Sequence, residues 1–175
     1  MMKIFLIGYR CTGKTTIGKK LAEQFNFTFV DTDEIVQQLE NKSIQQIVEA
    51  SGWEKFRQLE KKALQRTLNM NNAVVSTGGG IILDSDNRSS IRSNGHCIWL
   101  SATEEIVLER LNNDTKTDAT RPRLSNLELL EETRQMMQKR YLLFERTCHI
   151  KIDTGTKNVV ECVNTICRRL KDVRV

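Results

Sequence analysis

Long hydrophobic runs, aromatic residues and prolines are all scarce in this 175-residue sequence. No segment approaches the roughly 20 apolar residues that a transmembrane helix needs, so we expect no membrane partner. The apolar stretch at 3–7 runs directly into a glycine-containing loop without a cleavage region, which argues against a signal peptide. Since neither a membrane segment nor a targeting segment is recognisable, the sequence favours a cytoplasmic location.

Cysteine pairs of the C-x-x-C type are also lacking, and the five cysteines are odd in number. They are Cys11, Cys97, Cys148, Cys162 and Cys167. In a cytoplasmic protein this pattern predicts reduced thiols.

Long basic runs are absent as well, although the formal net charge is +5. No basic run exceeds two residues, and aromatic residues make up only 6% of the chain, which does not favour nucleic-acid binding. A small polyanionic substrate explains the excess of arginine equally well. We therefore expect a small-molecule partner and no nucleic acid.

The apolar pattern alternates between short strands and amphipathic helices, within a length that suits one domain. Strands are predicted at 3–7, 27–30, 73–76, 97–101 and 149–153. Helices are predicted at 14–25, 34–40, 43–50, 53–69, 103–111, 126–144 and 157–170. This alternation predicts an α/β fold with three layers, in which a five-stranded parallel sheet is flanked by helices and residues 1–175 form one domain. Ser43 and Gln46 form a capping-box pattern, and Gly52 is expected to end one helix before Trp53 begins the next.

A glycine loop near the N-terminus carries the strongest chemical signal. Gly8 to Thr15 match G-x-x-x-x-G-K-[ST], the phosphate-binding P-loop. The loop lies between a predicted strand and a predicted helix, where backbone N–H groups and the helix dipole point at phosphates. Gly8 and Gly13 allow close approach of the backbone. Lys14 is expected between the β- and γ-phosphates, and the Thr15 hydroxyl on Mg²⁺.

Cys11, Thr12 and Thr16 are assigned to the same nucleotide site because they belong to this loop or follow it directly. Cys11 is either a modifiable thiol or, more simply, a tolerated loop residue. A chance match in a glycine turn is the alternative to a functional loop, and the strand–loop–helix context argues against it.

The P-loop predicts a nucleoside triphosphate but not the reaction, because switches, motors and kinases share it. The segment Asn41-Lys42-Ser43-Ile44 lacks the Asp of the guanine motif N-K-x-D, which disfavours a GTP switch. Motor ATPases usually need a longer chain. A kinase that acts on a small acceptor remains the best interpretation.

Acidic and glycine-rich segments follow two of the predicted strands, at the edge of the sheet where ligands bind. Asp31 and Asp33 follow the second strand, and Thr77-Gly78-Gly79-Gly80 follow the third. One acid can support Mg²⁺ while the other orients a substrate hydroxyl, and the glycines expose backbone N–H groups. The alternatives are a solvated turn or helix cap for the acids and a flexible turn for the glycines.

The segment 112–125 is polar and contains the only proline, Pro122, between Arg121 and Arg123. In a phosphoryl-transfer enzyme such a segment forms a lid that closes over the nucleotide. A solvated surface loop is the alternative, and the two arginines favour the lid.

Taken in chain order, these motifs resemble those of the shikimate kinase family over nearly the whole sequence. They are the P-loop, Asp31-Thr32-Asp33, the segment from Gly52 to Glu60 (similar to the family's G-E-x-x-F-R-x-x-E), Thr77 to Gly80, the lid pair Arg121-Pro122, and Arg140. The P-loop alone is shared by many families, whereas the D-T-D, F-R, G-G-G and R-P set in this order is specific.

The resemblance implies an enzyme that transfers the γ-phosphoryl of ATP to the 3-hydroxyl of shikimate with Mg²⁺, in aromatic amino-acid biosynthesis. It implies that Asp33 binds the ring hydroxyls and orients or deprotonates the attacking one. Lys14 and Arg121 stabilise the transferring group, and Arg121 arrives when the lid closes. Asp31 supports Mg²⁺ through water, and Thr15 is the direct ligand.

The resemblance also assigns the remaining contacts. Arg57 and Arg140 hold the shikimate carboxylate, because guanidinium forks match a planar carboxylate. Gly79 and Gly80 lie beside the substrate, and Gly79 offers backbone N–H contacts. Arg110 aligns with a residue that packs on the adenine.

The sequence departs from the family pattern at three places. Trp53 replaces a glutamate, which we interpret as a packing change. The family's R-x-P-L-Y appears as Arg140-Tyr141-Leu142-Leu143-Phe144, and the lid is a few residues longer than in many relatives.

Three alternatives stay open at this point. Another small-molecule kinase, for gluconate or a nucleoside, would share the loop and lid but need not pair Asp33 with Arg57 and Arg140. A non-catalytic nucleotide-binding regulator and a nucleic-acid-binding ATPase are the others. A monomer is expected, since no dedicated association surface is recognisable.

Overall fold

A five-stranded parallel sheet forms the centre of the molecule. The computed structural model describes residues 2–113 and 126–172. The strands are β1 (Lys3–Ile7), β2 (Thr28–Asp31), β3 (Ala73–Ser76), β4 (His96–Ser101) and β5 (Ile150–Asp153). They pair in the order β2-β3-β1-β4-β5, and every pairing is parallel. The predicted α/β fold class is confirmed, and each strand lies within one residue of its predicted position.

Helices connect the strands and cover both faces of the sheet. They are α1 (Lys14–Phe25), α2 (Thr32–Glu40), α3 (Ile44–Leu68), α4 (Ser85–Asn94), α5 (Glu104–Asn113), α6 (Asn126–Thr147) and α7 (Val159–Asp172). Ser43 and Gln46 form the predicted capping box at the start of α3. Gly52, at φ 75° and ψ 173°, interrupts the helical backbone, so α3 consists of two helical segments divided at the predicted residue. Among the described residues, no helix has the length and hydropathy of a membrane span.

Helix α4 was missed by the sequence interpretation, which placed no helix between 77 and 96. Only Asn87 and Ile91 of this helix are buried, so the apolar periodicity that reveals other helices is almost absent. The Asp84 side chain caps it by accepting a hydrogen bond from the Asn87 N–H at 2.9 Å. An aspartate before a polar stretch was therefore the available signal.

Alternate residues of each inner strand serve opposite faces of the sheet. Ile4 and Leu6 of β1 pack in a core with α1 and α7, whereas Phe5 and Ile7 pack in a second core with α3, α4 and α6. All four side chains are fully buried. Burial on both faces explains why β1 is a continuous apolar run rather than an alternating one.

Strand order places the candidate site. β1 lies between β3 and β4; the chain leaves β1 towards β2 on one side of the sheet and leaves β3 towards β4 on the other. A crevice opens at such a switch point, and ligands bind there. Leu6 of β1 and Asp31 of β2 are both in register with Ser76 of β3. The P-loop, the acidic pair and the glycine segment therefore begin at the same edge.

Candidate active site

The P-loop wraps closely around the end of β1. Gly8 and Gly13 adopt positive φ angles of 151° and 87°, and a Cβ on Gly8 would overlap the Leu100 carbonyl oxygen. These two glycines are thus required by backbone conformation and close packing. Cys11 also has a positive φ, 58°, which costs a residue with a Cβ about 1–2 kcal/mol. The loop therefore holds Cys11 in a conformation that the side chain disfavours.

Lys14 is folded over the loop that precedes it. Its ammonium donates to the carbonyl oxygens of Gly8 at 3.0 Å and Tyr9 at 2.6 Å. The buried Thr12 hydroxyl donates to the same Tyr9 carbonyl at 2.8 Å. The positive charge of Lys14 is thereby held at the P-loop. Thr15 and Thr16 are exposed in the first turn of α1.

Thr15 and Asp31 lie together across the loop. The Thr15 hydroxyl is 3.4 Å from Asp31 Oδ2. Asp31 Oδ1 accepts a hydrogen bond from the Asp33 N–H at 2.9 Å and so caps α2. The cap is therefore Asp31, and Asp33 lies in the first turn. A hydroxyl beside a carboxylate suits Mg²⁺, which prefers oxygen ligands and keeps several waters.

Arg110 reaches from α5 to the same end of the sheet. Its guanidinium donates to the Cys11 carbonyl at 3.2 Å and to the Thr154 carbonyl at 2.6 Å. It thus connects the P-loop to the segment after β5. This position borders the P-loop, and packing of Arg110 on the nucleotide base stays a prediction.

A cavity of about 240 Å³ opens beside the P-loop. All five residues assigned to the substrate line it: Asp33, Arg57, Gly79, Gly80 and Arg140. They come from α2, α3, the segment after β3, and α6, which are distant in sequence. The structure therefore brings the whole predicted substrate set to one place.

Arg57 is oriented by a buried acid. Its Nη1 donates to Glu60 Oε2 at 2.6 Å, and Glu60 is only 1% exposed. Burial raises the pKa of Glu60, although Arg57 opposes this shift. The guanidinium also lies 5.6 Å from the Trp53 ring and 5.1 Å from the Phe56 ring. Half-exposed Trp53 thus packs against Arg57 at the pocket wall.

Arg140 keeps its guanidinium in the cavity despite the altered sequence that follows it. Nη1 donates to the Gly79 carbonyl at 3.2 Å, and Nη2 lies 2.9 Å from Met136 Sδ. Burial lowers the pKa of this guanidinium, and the nearby charges of Arg57 and Arg10 add to the effect. The side chain is aimed across the pocket at the glycine segment.

The glycines after β3 make room for charged side chains. A Cβ on Gly78 would lie 2.6 Å from Glu60 Oε1 and 2.7 Å from Asp33 Oδ1, and one on Gly80 would overlap the Arg57 guanidinium. The Gly78 N–H is already bonded to the Thr32 hydroxyl at 3.0 Å. Close packing is therefore a role for these glycines that the sequence interpretation did not include.

Several pocket residues were missed. Tyr9 and Arg10 of the P-loop line the cavity, as does Glu60. A glutamate three residues after Arg57 on a helix was a signal for an ion pair. Tyr9 and Arg10 lie at variable positions of the P-loop, and no sequence pattern indicated where their side chains point. That direction depends on the backbone conformation of the loop.

The predicted lid lies mostly beyond what is described. Asn112 and Asn113 end α5, and 114–125, with Arg121, Pro122 and Arg123, lie outside the described residues.

A larger cavity, of about 650 Å³, lies on another face of α6, around Trp99, Tyr141 and Lys151. Two basic and two acidic residues line it, whereas three arginines and three acids line the smaller cavity. The smaller cavity also adjoins Asp33 and Gly79, so we assign the chemistry to it.

A nucleotide loop beside a charged pocket of this size defines a P-loop kinase that phosphorylates a small molecule. A family model described as shikimate kinase matches residues 10–171. The chain belongs to the shikimate kinase family and is an ATP-dependent phosphotransferase.

Curated relatives and solved structures agree with this family. The chain is 43% identical to shikimate kinase 2 of Photorhabdus laumondii over 81% of the chain and 80% of the relative. It is 40% identical to shikimate kinase 2 of Yersinia enterocolitica over 98% and 97%. Shikimate kinase from Acinetobacter baumannii, solved in complex with shikimate, has a TM-score of 0.90 at 28% identity and covers 100% of this chain and 96% of its own.

Proposed function

We propose that this member of the family transfers the γ-phosphoryl of ATP to the 3-hydroxyl of shikimate in a Mg²⁺-dependent reaction. One observation carries the proposal: Asp33, Arg57 and Arg140 converge in a cavity that adjoins the P-loop. This combination matches a small molecule that has both hydroxyl groups and a carboxylate. A nucleoside acceptor has no carboxylate and does not require it, and membership of the shikimate kinase family favours shikimate over gluconate, which also carries both groups.

On the nucleotide side, the P-loop backbone binds the phosphates and Lys14 stabilises charge on the transferring group. Thr15 and Asp31 would hold Mg²⁺, directly and through water respectively. When bound, the ion neutralises charge on the phosphate oxygens. Arg110 is fixed against the Cys11 and Thr154 carbonyls, and we assign it to packing on the adenine.

On the acceptor side, Arg57 and Arg140 bind the carboxylate through planar, charge-assisted hydrogen bonds. Asp33 orients the attacking hydroxyl and accepts its proton. Gly79 and Gly80 keep the wall of the pocket free of side chains, which lets shikimate lie against the backbone.

The proposal includes a lid at 112–125 that delivers Arg121 to the transferring phosphoryl. An arginine of this kind contributes about 10³–10⁵ in rate, or roughly 4–7 kcal/mol of barrier. Closure would also exclude water and limit hydrolysis of ATP.

The test is ADP release by the purified protein across shikimate, quinate, gluconate and nucleosides, with and without Mg²⁺. We expect ADP formation that requires both shikimate and Mg²⁺. Strong turnover of a nucleoside with none of shikimate would overturn the proposal.

Steady-state kinetics of three variants separate the arginine roles. Arg121→Ala is expected mainly to lower kcat, because its contact forms in the transition state. Arg57→Ala and Arg140→Ala are expected mainly to raise the shikimate KM. An Arg121→Ala enzyme with normal kcat would contradict the lid assignment.

We further propose that residues 1–175 act as one kinase domain, as a monomer in the cytoplasm and without nucleic acid or membrane. Light scattering of the purified protein with and without both substrates tests the oligomeric state. A dimer that persists at assay concentration would contradict it.

A further inference from the structure

Arg10 belongs to the P-loop but faces the acceptor cavity. It lies between Gly8 and Gly13, and it lines the same cavity as Arg57 and Arg140. Its Nε and Nη2 atoms are buried, and neither has a hydrogen-bond partner among the described residues. Buried guanidinium donors are expensive to leave unpaired, so these atoms point to a ligand that the pocket is built to receive.

Three arginines and three acids line the cavity, and the three arginines differ in their partners. Arg57 is paired with Glu60 at 2.6 Å. Arg140 donates to the Gly79 carbonyl, a neutral acceptor. Within the described part of the chain, no carboxylate lies at ion-pairing distance from Arg10. A substrate carboxylate can be held by Arg57 and Arg140, which leaves Arg10 for a different anion.

The position of Arg10 identifies that anion. Its neighbour Tyr9 offers the carbonyl that Lys14 contacts at 2.6 Å, so the nucleotide cation and Arg10 lie on adjoining parts of one loop. The glycine segment of the acceptor pocket approaches the same point, because a Cβ on Gly79 would lie 3.6 Å from the Arg10 backbone nitrogen. Arg10 therefore stands between the donor and acceptor halves of the reaction.

We propose that Arg10 binds the phosphoryl group as it arrives on the acceptor, and keeps that contact in the product. In this step the bond between the γ-phosphorus and the β–γ bridging oxygen breaks, and its electron pair stays on ADP. A bond forms from the shikimate oxygen to phosphorus, and the hydroxyl proton passes to Asp33. The acceptor gains a group with a charge of about −2 at neutral pH, which the unpaired donors of Arg10 can bind.

This inference rests on the proposed function and adds a discriminating residue to it. Arg10 is expected to bind the product more tightly than the substrate, since shikimate 3-phosphate has the phosphoryl group and shikimate does not. The carboxylate arginines cannot make that distinction, because both molecules carry the same carboxylate.

Calorimetric titration without nucleotide tests the proposal. Shikimate and shikimate 3-phosphate are titrated separately into the wild type, Arg10→Met, Arg10→Lys and the matched control Arg57→Met. We expect Arg10→Met to weaken the binding of shikimate 3-phosphate at least tenfold and the binding of shikimate less than threefold. In steady-state kinetics the same variant should show at least a tenfold lower kcat. Arg10→Lys should recover part of the product affinity, and Arg57→Met should weaken both ligands alike.

Equal weakening of both ligands by Arg10→Met would make Arg10 a carboxylate ligand and overturn the proposal, as would unchanged affinity for both. If Arg10→Met does not fold, Arg10→Gln replaces it under the same criteria. Failure of the proposed function would show differently, as a wild-type protein that forms no ADP from shikimate and ATP.

Discussion

Packing between single residues shapes the acceptor pocket as much as hydrogen bonding does. Gly80 has an ordinary backbone φ of −100°, so its conformation does not require glycine. What excludes a side chain there is the guanidinium of Arg57. The requirement for glycine at position 80 therefore depends on Arg57, and this dependence can be measured.

Replacing Gly80 by alanine is expected to raise the shikimate KM about tenfold or more, because the new methyl group displaces Arg57 from the carboxylate. Steady-state kinetics of Gly80→Ala, Arg57→Ala and the double variant form the appropriate cycle. If Gly80 acts through Arg57, adding Gly80→Ala to Arg57→Ala has little further effect. Fully additive losses would contradict this explanation.

Glu60 orients Arg57 at a cost to stability. Since burial raises its pKa above the unfolded value, the native state binds this proton more tightly than the unfolded state does. Its contribution is therefore most favourable below the unfolded pKa and becomes less favourable as pH rises through the folded pKa.

We expect Glu60→Gln to become progressively more stable relative to the wild type as pH rises from about 4.5 towards neutrality. Urea unfolding of both proteins across this range measures the difference, with Glu49→Gln as an exposed control. The same variant should bind shikimate more weakly, because Arg57 loses its charged partner. A difference in stability that stays constant with pH would show that Glu60 titrates alike in both states.

Among the elements, α7 illustrates how a surface helix secures the sheet without taking part in the site. Its buried residues Cys162, Val163, Ile166 and Leu170 pack with α1 and β5 in one core. Val160 of the same helix is 59% exposed. The apolar side of the helix is thus the part that contributes to stability.

Ile166→Ala is expected to lower the free energy of unfolding by about 2–5 kcal/mol, through lost burial and the cavity it leaves. Val160→Ala should change it by less than about 0.5 kcal/mol, as exposed positions usually do. Urea unfolding measures both, and the shikimate KM of the folded Ile166→Ala protein should match the wild type. Equal losses of unfolding free energy in the two variants would contradict the assignment of Ile166 to the buried side of α7 and of Val160 to its exposed side.

At the scale of the whole molecule, the acceptor pocket joins parts of the chain that would otherwise be far apart. Arg57 comes from α3 and Arg140 from α6, on either side of the segment after β3. A ligand that bridges them should stabilise the native state, since the unfolded chain cannot bind it in this way.

Shikimate at 100 times its dissociation constant is expected to stabilise the wild type by about 2.7 kcal/mol. Arg140→Ala at the same shikimate concentration should lose most of this gain while it still unfolds cooperatively. Thermal and urea unfolding with and without shikimate measure the effect independently of catalysis. Quinate serves as a related carboxylate control, and an undiminished gain in Arg140→Ala would remove this residue from the carboxylate site.

The comparison between sequence and structure follows from the range of the interactions. Apolar periodicity predicted each strand to within one residue, because burial on the sheet imposes a local pattern. It missed α4, whose exposed polar surface leaves almost no such pattern. It correctly divided α3 at Gly52, whose non-helical backbone (φ 75°, ψ 173°) separates two helical segments.

By itself, the sequence determined the nucleotide loop, the α/β class and the residue types that face an acceptor, since these depend on local spacing and on motifs in chain order. Only the tertiary structure decided that Asp33, Arg57, Gly80 and Arg140 share one cavity, that Glu60 is buried against Arg57, and that Arg10 lines the same cavity. The reason is physical. Those facts depend on how the strands are ordered and how α3 and α6 pack over the sheet, and each is set by contacts between residues far apart along the chain.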